Sequence, residues 1–296
     1  MQTLRLCVDE YPRRIHKVTT LRISQTFVMG VTSLADRIYA VCYDSDVIAV
    51  FTLEQPFTRL QGIVVKGLLC PLDIAASVNI GCLYVSDAGS HTVWRISVDD
   101  GAVVRWMTGL CAVSASVTFE DKVVLLVMVD AQGSWDNRNS TWLGEVRVCS
   151  TDAVVETVIK LSPDITTPLS VVMTTRKTLI VSYGVDWHEV NGVCEVDMTG
   201  RVLKAFGSSP GHDVSQLNFP RQVSLDDTDR VIVADNNNSR VLMLNEQLSS
   251  PRVLLTWHPQ STGNKANFPG TVHYDRHTGS LLVGLTSSHV VVYKWK

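Results

Sequence analysis

The strongest constraint on this chain is a unit of about fifty residues that recurs along it. Its clearest copy spans 217–244, where two short β-type runs at 217–226 and 230–235 flank a turn-rich break, Asp226-Asp227-Thr228-Asp229. A polar loop and a third run, 236–244, complete the copy. One such unit has open sheet edges and a bare apolar face, so it is stable only when stacked on others like it.

Proline sets the phase of the repeat. Pro269 follows Pro220 by 49 residues, Pro168 precedes it by 52, and Pro71 lies 97 before Pro168, which leaves room for one unit between. That unit lies around 113–129, and a first one at 27–41 fits the frame without its proline. The count is six. In the fifth unit 222–225 reads as the innermost strand, 231–234 as the second, 241–244 as the third and 252–257 as the fourth. Short, evenly spaced strands in units of this length predict an all-β fold of radial repeats: a six-bladed β-propeller with four antiparallel strands per blade, a single domain over 1–296. The sixth unit offers three runs, at 271–274, 281–285 and 290–295, while β-prone runs at 4–8 and 18–23 precede the first. An N-terminal strand, the run at 18–23 rather than 4–8, is expected to complete the last blade and close the ring.

Hydrophobic residues make up 45% and charged ones 19%, a globular composition. The 26 basic and 29 acidic residues leave a formal charge of −3, which gives a polyanion no general attraction. The first residues lack the apolar stretch of a signal peptide, and the apolar run 123–129 is too short for a bilayer. A cytoplasmic, monomeric protein without membrane contact is the expectation. Seven cysteines, an odd number with no Cys-x-x-Cys pair, mostly sit in or beside apolar runs and are expected to be buried structural thiols.

Phe219-Pro220, the run Val231-Ile232-Val233-Ala234-Asp235 and Asn238-Ser239-Arg240-Val241 together resemble an NHL repeat. In that family an inner strand opening on proline leads to a Val-Val-Ala/Ser-Asp strand and then to Asn-x-Arg-Val. Pro71-Leu72-Asp73-Ile74 with Leu83-Tyr84-Val85-Ser86-Asp87 matches a second time, and the other four units match mainly in hydrophobic phase. The chain thus resembles the NHL-type propellers found at the C-terminal end of tripartite-motif proteins. The resemblance implies a binding platform for protein or RNA. No RING or B-box Cys/His spacing and no coiled-coil heptads occur, so ligase activity does not carry over.

In a propeller, the loops between blades and those joining second to third strands share one face. Two of them are long, 130–142 and 183–191, and they hold Trp135, Asn137, Arg138, Asn139, Trp142, Trp187 and His188. Large rigid aromatics beside adaptable polar groups have the composition of an interface hot spot, although such tryptophans equally serve to cap a blade. Arg221, at the channel mouth, and Asn236, Asn237 and Arg240 complete the candidate partner-binding set. The Asp and Arg of the repeat motif are also expected to brace their loop.

A metal-dependent hydrolase or lyase would need several oxygen ligands converging from the inner strands. The positions in phase with Gln222 are Gly30, Asp73, Ser116, Ser170 and Thr271, which supply a single carboxylate. His91, His273 and His289 are the remaining zinc candidates, in two different blades. No cofactor or metal is expected. The expected function is a non-catalytic interaction platform for protein or peptide partners, using one propeller face. The alternatives are a single-stranded RNA-binding propeller and, behind it, the metal-dependent enzyme. Asp130, Asp136, Asp186 and Glu189 beside the basic loop residues weaken the RNA reading.

Overall fold

The computed structural model describes residues 15–24, 26–129, 143–185, 190–257 and 267–295. The strands in these residues form six sheets of four antiparallel strands each. Inner strands Val28–Leu34, Pro71–Ser77, Cys111–Val117, Pro168–Met173, Pro220–Leu225 and Pro269–Asp275 stand around one axis. Each contacts the next in chain order, and the last contacts the first. Ile15–Arg22 is the outer strand of the sixth blade, antiparallel to His289–Trp295, so an N-terminal strand closes the ring.

The apolar residues explain why a ring forms. Each pair of neighbouring blades shares a hydrophobic cluster. Val124, Leu126 and Val146 pack on Leu179 and Val181 between blades 3 and 4, and Ile38 and Ala40 pack on Leu282, Val290 and Val292 between blades 1 and 6. Blade interiors are therefore covered on both sides, which is why second strands such as Val123–Val129 are apolar without alternation.

All six inner strands carry a β-bulge at the same level, where one residue is inserted opposite the second strand. The register shifts lie at Val28/Gly30, Pro71/Asp73, Ala112/Ser114, Pro168/Ser170, Pro220/Gln222 and Pro269/Thr271. This corrects the sequence phase of blade 3. The residue equivalent to Gln222 is Ser114, not Ser116, because without the proline that blade is set by its bulge and not by its hydrophobic run.

The residues just below the bulges join the blades to one another. Ser114 Oγ accepts from Val171 N–H at 3.3 Å, Ser170 Oγ from Val223 N–H at 3.4 Å, and Ser224 Oγ from Tyr274 N–H at 3.0 Å. Gln222 Oε1 accepts from Val272 N–H at 2.8 Å and from the Thr271 hydroxyl. Between blades 1 and 2 the joint is backbone packing: a Cβ on Gly30 would lie 2.7 Å from Ile74 N, so only glycine fits.

The ring has two faces. The loop face carries the links between blades and between second and third strands; the turn face carries the turns from first to second strand. Among the described residues no helix is long and apolar enough to cross a membrane. Cys42, Cys82, Cys149 and Cys194 are buried and Cys70 and Cys111 half-buried, all as free thiols. Burial pushes Cys70 and Cys149 up to about 11 and Cys194 to about 12, so these thiols stay protonated.

Candidate functional site

Among the described residues a funnel of about 880 Å³ lies on the propeller axis. Its wall comes from the lower halves of all six inner strands, its rim from the first turns of the blades. It opens on the turn face. Apolar residues of the inner strands, Val31, Ala76, Val117, Val172 and Met173, line the wall.

The funnel ends at the level of Asp73 and Gln222, and none of the bulged residues above lines it. Gln222 Nε2 donates to Asp73 Oδ1 at 2.7 Å. Blades 2 and 5 lie three steps apart in a ring of six, so this bond crosses the axis. Asp73 also accepts from Ile74 N–H at 2.9 Å, from Ser114 Oγ at 2.9 Å and from Ala115 N–H at 3.2 Å. Burial raises its pKa to about 6, even though these donors favour the ionised form.

On the wall between blades 1 and 6, Ser33 Oγ donates to Asp275 Oδ2 and lies 2.8 Å from His273 Nε2. With its one proton on the carboxylate, the hydroxyl accepts from His273, which makes Nε2 the protonated nitrogen. Burial lowers His273 to about 4, against the charge of Asp275, so the imidazole is neutral near pH 7. Asp275 also accepts from Thr278 N–H and Oγ1 at 2.7 and 2.6 Å.

At the mouth, Phe119 of blade 3 is 58% exposed. The guanidinium of Arg276, from the opposite blade 6, lies over its ring with Cζ 4.4 Å from the centroid. A second cross-axis contact therefore spans the open end.

The loop-face candidates separate into two groups. Trp135, Asn137, Arg138, Asn139, Trp142, Trp187 and His188 lie outside the described residues. The other four lie within them. Arg221 is the bulged residue of blade 5; its Nη2 donates to Met29 Sδ at 2.9 Å, and burial lowers its pKa against the pull of Asp73. It passes over Gly270, where a Cβ would lie 3.2 Å from Nη1.

Arg240 is buried and takes the bracing role expected of the repeat motif. Its Nε donates to Asp235 at 2.7 Å and its Nη atoms to the carbonyls of His212, Asp213 and Gln216. Asn236 is buried as well and donates to Pro269 O at 3.0 Å, so it too is a brace. Asn237 is exposed, with Nδ2 on Asn218 Oδ1 at 3.0 Å. Asp235 accepts from Asn218 N–H, Asn238 and Arg240, which is the bracing expected of the repeat motif.

The three histidines do not converge. His273 lines the funnel, whereas His91 lies in the second-to-third-strand connection of blade 2 and His289 opens the third strand of blade 6, both toward the other face. Among the described residues no group of three or more His, Cys, Asp or Glu is placed to hold a metal ion. Sequence reasoning singled out Gln222, Asp73 and His273 but missed Ser33, Asp275, Phe119 and Arg276. Their only sequence signal is position, at the ends of inner strands and in first turns.

The ring of four-stranded blades makes the chain a six-bladed β-propeller. Residues 217–242 match the NHL repeat family model, so the fifth blade carries an NHL repeat. No curated protein sequence matches the chain. Among solved structures, it is similar to a catalytically inactive variant of virginiamycin B lyase from Staphylococcus aureus, solved with quinupristin. The TM-score is 0.62 at 10% identity, over 95% of this chain and 99% of that one. A protein of unknown function from Bacteroides caccae gives 0.58 at 12% identity, over 83% and 81%. At such identities the likeness is one of fold.

Proposed function

We propose that this propeller is a non-catalytic binding platform, and that a segment of a protein or peptide partner enters the axial funnel on the turn face. The observation that carries the reading is the funnel itself: a cavity of about 880 Å³ with apolar walls, one open end and a hydrogen-bonded floor. Concave, mostly apolar sites with a few converging polar groups are where proteins hold ligands. The Ser33–His273–Asp275 group supports binding over catalysis. In a Ser-His-Asp relay the imidazole takes the serine proton, whereas here the Ser33 hydroxyl donates to Asp275 and the imidazole nitrogen facing it carries a proton, so the three groups do not form that relay.

The test compares the two faces directly. Peptides selected from a random displayed library against the wild-type protein are assayed on two variants. One fills the funnel by Ala76→Trp with Val172→Trp; the other carries Trp135→Ala, Trp142→Ala and Trp187→Ala. The expected result is at least about a tenfold loss of affinity, roughly 1.4 kcal/mol, in the filled funnel and little change in the other. Loss confined to the tryptophan variant would move the site to the loop face and overturn the proposal.

A further inference from the structure

We infer that the funnel selects peptides in which an apolar side chain is flanked by a cationic one, and that the cation replaces Arg276 on the face of Phe119. The inference rests on the funnel being the binding site.

Charge is the first observation. The funnel residues include Asp36, Glu54, Asp73, Asp121 and Asp275 against one permanent cation, Arg276. The basic groups of the surrounding turns are held by other acids. Lys122 pairs with Glu156, Lys177 with Glu120 at 3.1 Å, and Arg230 with Asp226 at 2.5 Å. Arg176 lies 3.2 Å from both Glu195 and Glu246. At the rim, Asp36 has Arg37 at 3.6 Å, and Glu54 has no ion pair among the described residues. Asp36 has Arg37 beside it and Asp73 the buried Arg221, so the net negative field comes from Glu54, Asp121 and Asp275, and low-dielectric walls focus it toward the mouth.

The second observation is the order of chemistry along the axis. The floor is polar but satisfied: Asp73 accepts four hydrogen bonds and both ends of the Gln222 amide are engaged. A ligand cation gains nothing there. The wall is apolar, and the rim carries the carboxylates together with an exposed aromatic ring. An occupant that matches this order has its apolar part in the shaft and its charge at the mouth, and a closed floor admits a side chain rather than a through-running strand.

Third, the ring face of Phe119 already holds a cation. Arg276 occupies it through a contact that is weak at an exposed site, so a ligand lysine or arginine can take it over while Arg276 swings outward. Arg276 thus acts as a competitor for cationic ligands, whereas it would be an anchor for anionic ones. The two ligand classes predict opposite responses to its removal.

The experiment measures, by fluorescence anisotropy, synthetic peptides with a central leucine or phenylalanine flanked by lysines, serines or glutamates. The lysine series is expected to bind about tenfold tighter than the glutamate series, with the gap narrowing as salt rises. Arg276→Ala should tighten the lysine series severalfold, and Phe119→Ala should weaken it. Combining Asp36→Lys with Glu54→Lys should abolish the preference, with thermal melting confirming the fold of each variant. A tighter glutamate series, or weaker binding of the lysine series to Arg276→Ala, overturns the charge assignment. The funnel reading survives that result if Ala76→Trp with Val172→Trp still blocks whichever series binds. Binding that is indifferent to the filled funnel, or no binding of any series, overturns both.

Discussion

Two contacts cross the axis of this propeller, and they are built from opposite chemistry. At the floor, Gln222 of blade 5 reaches Asp73 of blade 2 through a buried hydrogen bond whose partners are held by further donors. At the mouth, the half-buried Arg276 of blade 6 rests on the exposed ring of Phe119 of blade 3. A buried carboxylate with four donors is part of the fold, because freeing any of those donors strands it without water. The cation–ring contact exchanges readily with solvent or ligand. The difference teaches which end of the channel is architecture and which is available for recognition.

Removing the floor acceptor should give the largest effect. Asp73→Ala leaves two backbone N–H groups, the Ser114 hydroxyl and the Gln222 amide without their shared acceptor, and is expected to cost about 3–5 kcal/mol in urea unfolding at pH 7. A loss below 1 kcal/mol would mean that the floor is not a structural joint.

The pH dependence of stability sharpens the comparison next. Asp73 titrates near 6 in the folded protein, above its ordinary 3.8, so between about pH 4 and 6 the native state holds more protons than the unfolded chain. Its contribution therefore falls as pH rises through that window, by about 3 kcal/mol for a shift of roughly two pH units. His273 titrates near 4, below its ordinary 6.5, so its contribution falls as pH drops through nearly the same window. The two slopes oppose. Relative to wild type, Asp73→Asn should lose stability more steeply on acidification, and His273→Gln less steeply. Parallel curves for all three proteins would refute this pairing.

The mouth should respond least. Phe119→Ala or Arg276→Ala is expected to change unfolding stability by less than about 1 kcal/mol while changing peptide affinity. If either cost as much as Asp73→Ala, the mouth would be architecture too.

How far the sequence could be read depended on how local each determinant is. Blade 5 was legible strand by strand: the expected innermost strand, 222–225, lies inside Pro220–Leu225, and 231–234 inside Val231–Asp235. Ring closure was legible from the surplus run at 18–23, which falls largely within Ile15–Arg22. Blade 3 was misphased by two residues, since its bulge at Ala112/Ser114 has no proline to mark it. The bracing of Asp235 could be anticipated because its motif partners Asn238 and Arg240 lie three and five residues away.

The funnel was not legible, and neither was its face. Long loops pointed to the loop side, while the cavity opens among turns that look ordinary in sequence, such as Phe119-Glu120-Asp121. Ser33 and His273 are 240 residues apart, and Asp73 and Gln222 are 149 apart. Repeat phase and alternation alone determined the blades, their number and the strand that seals the ring, because those are properties of neighbouring residues. Only closure of the ring decided which inner-strand side chains meet across the axis. It turns six separate strand ends into one wall and brings opposite blades within hydrogen-bonding reach.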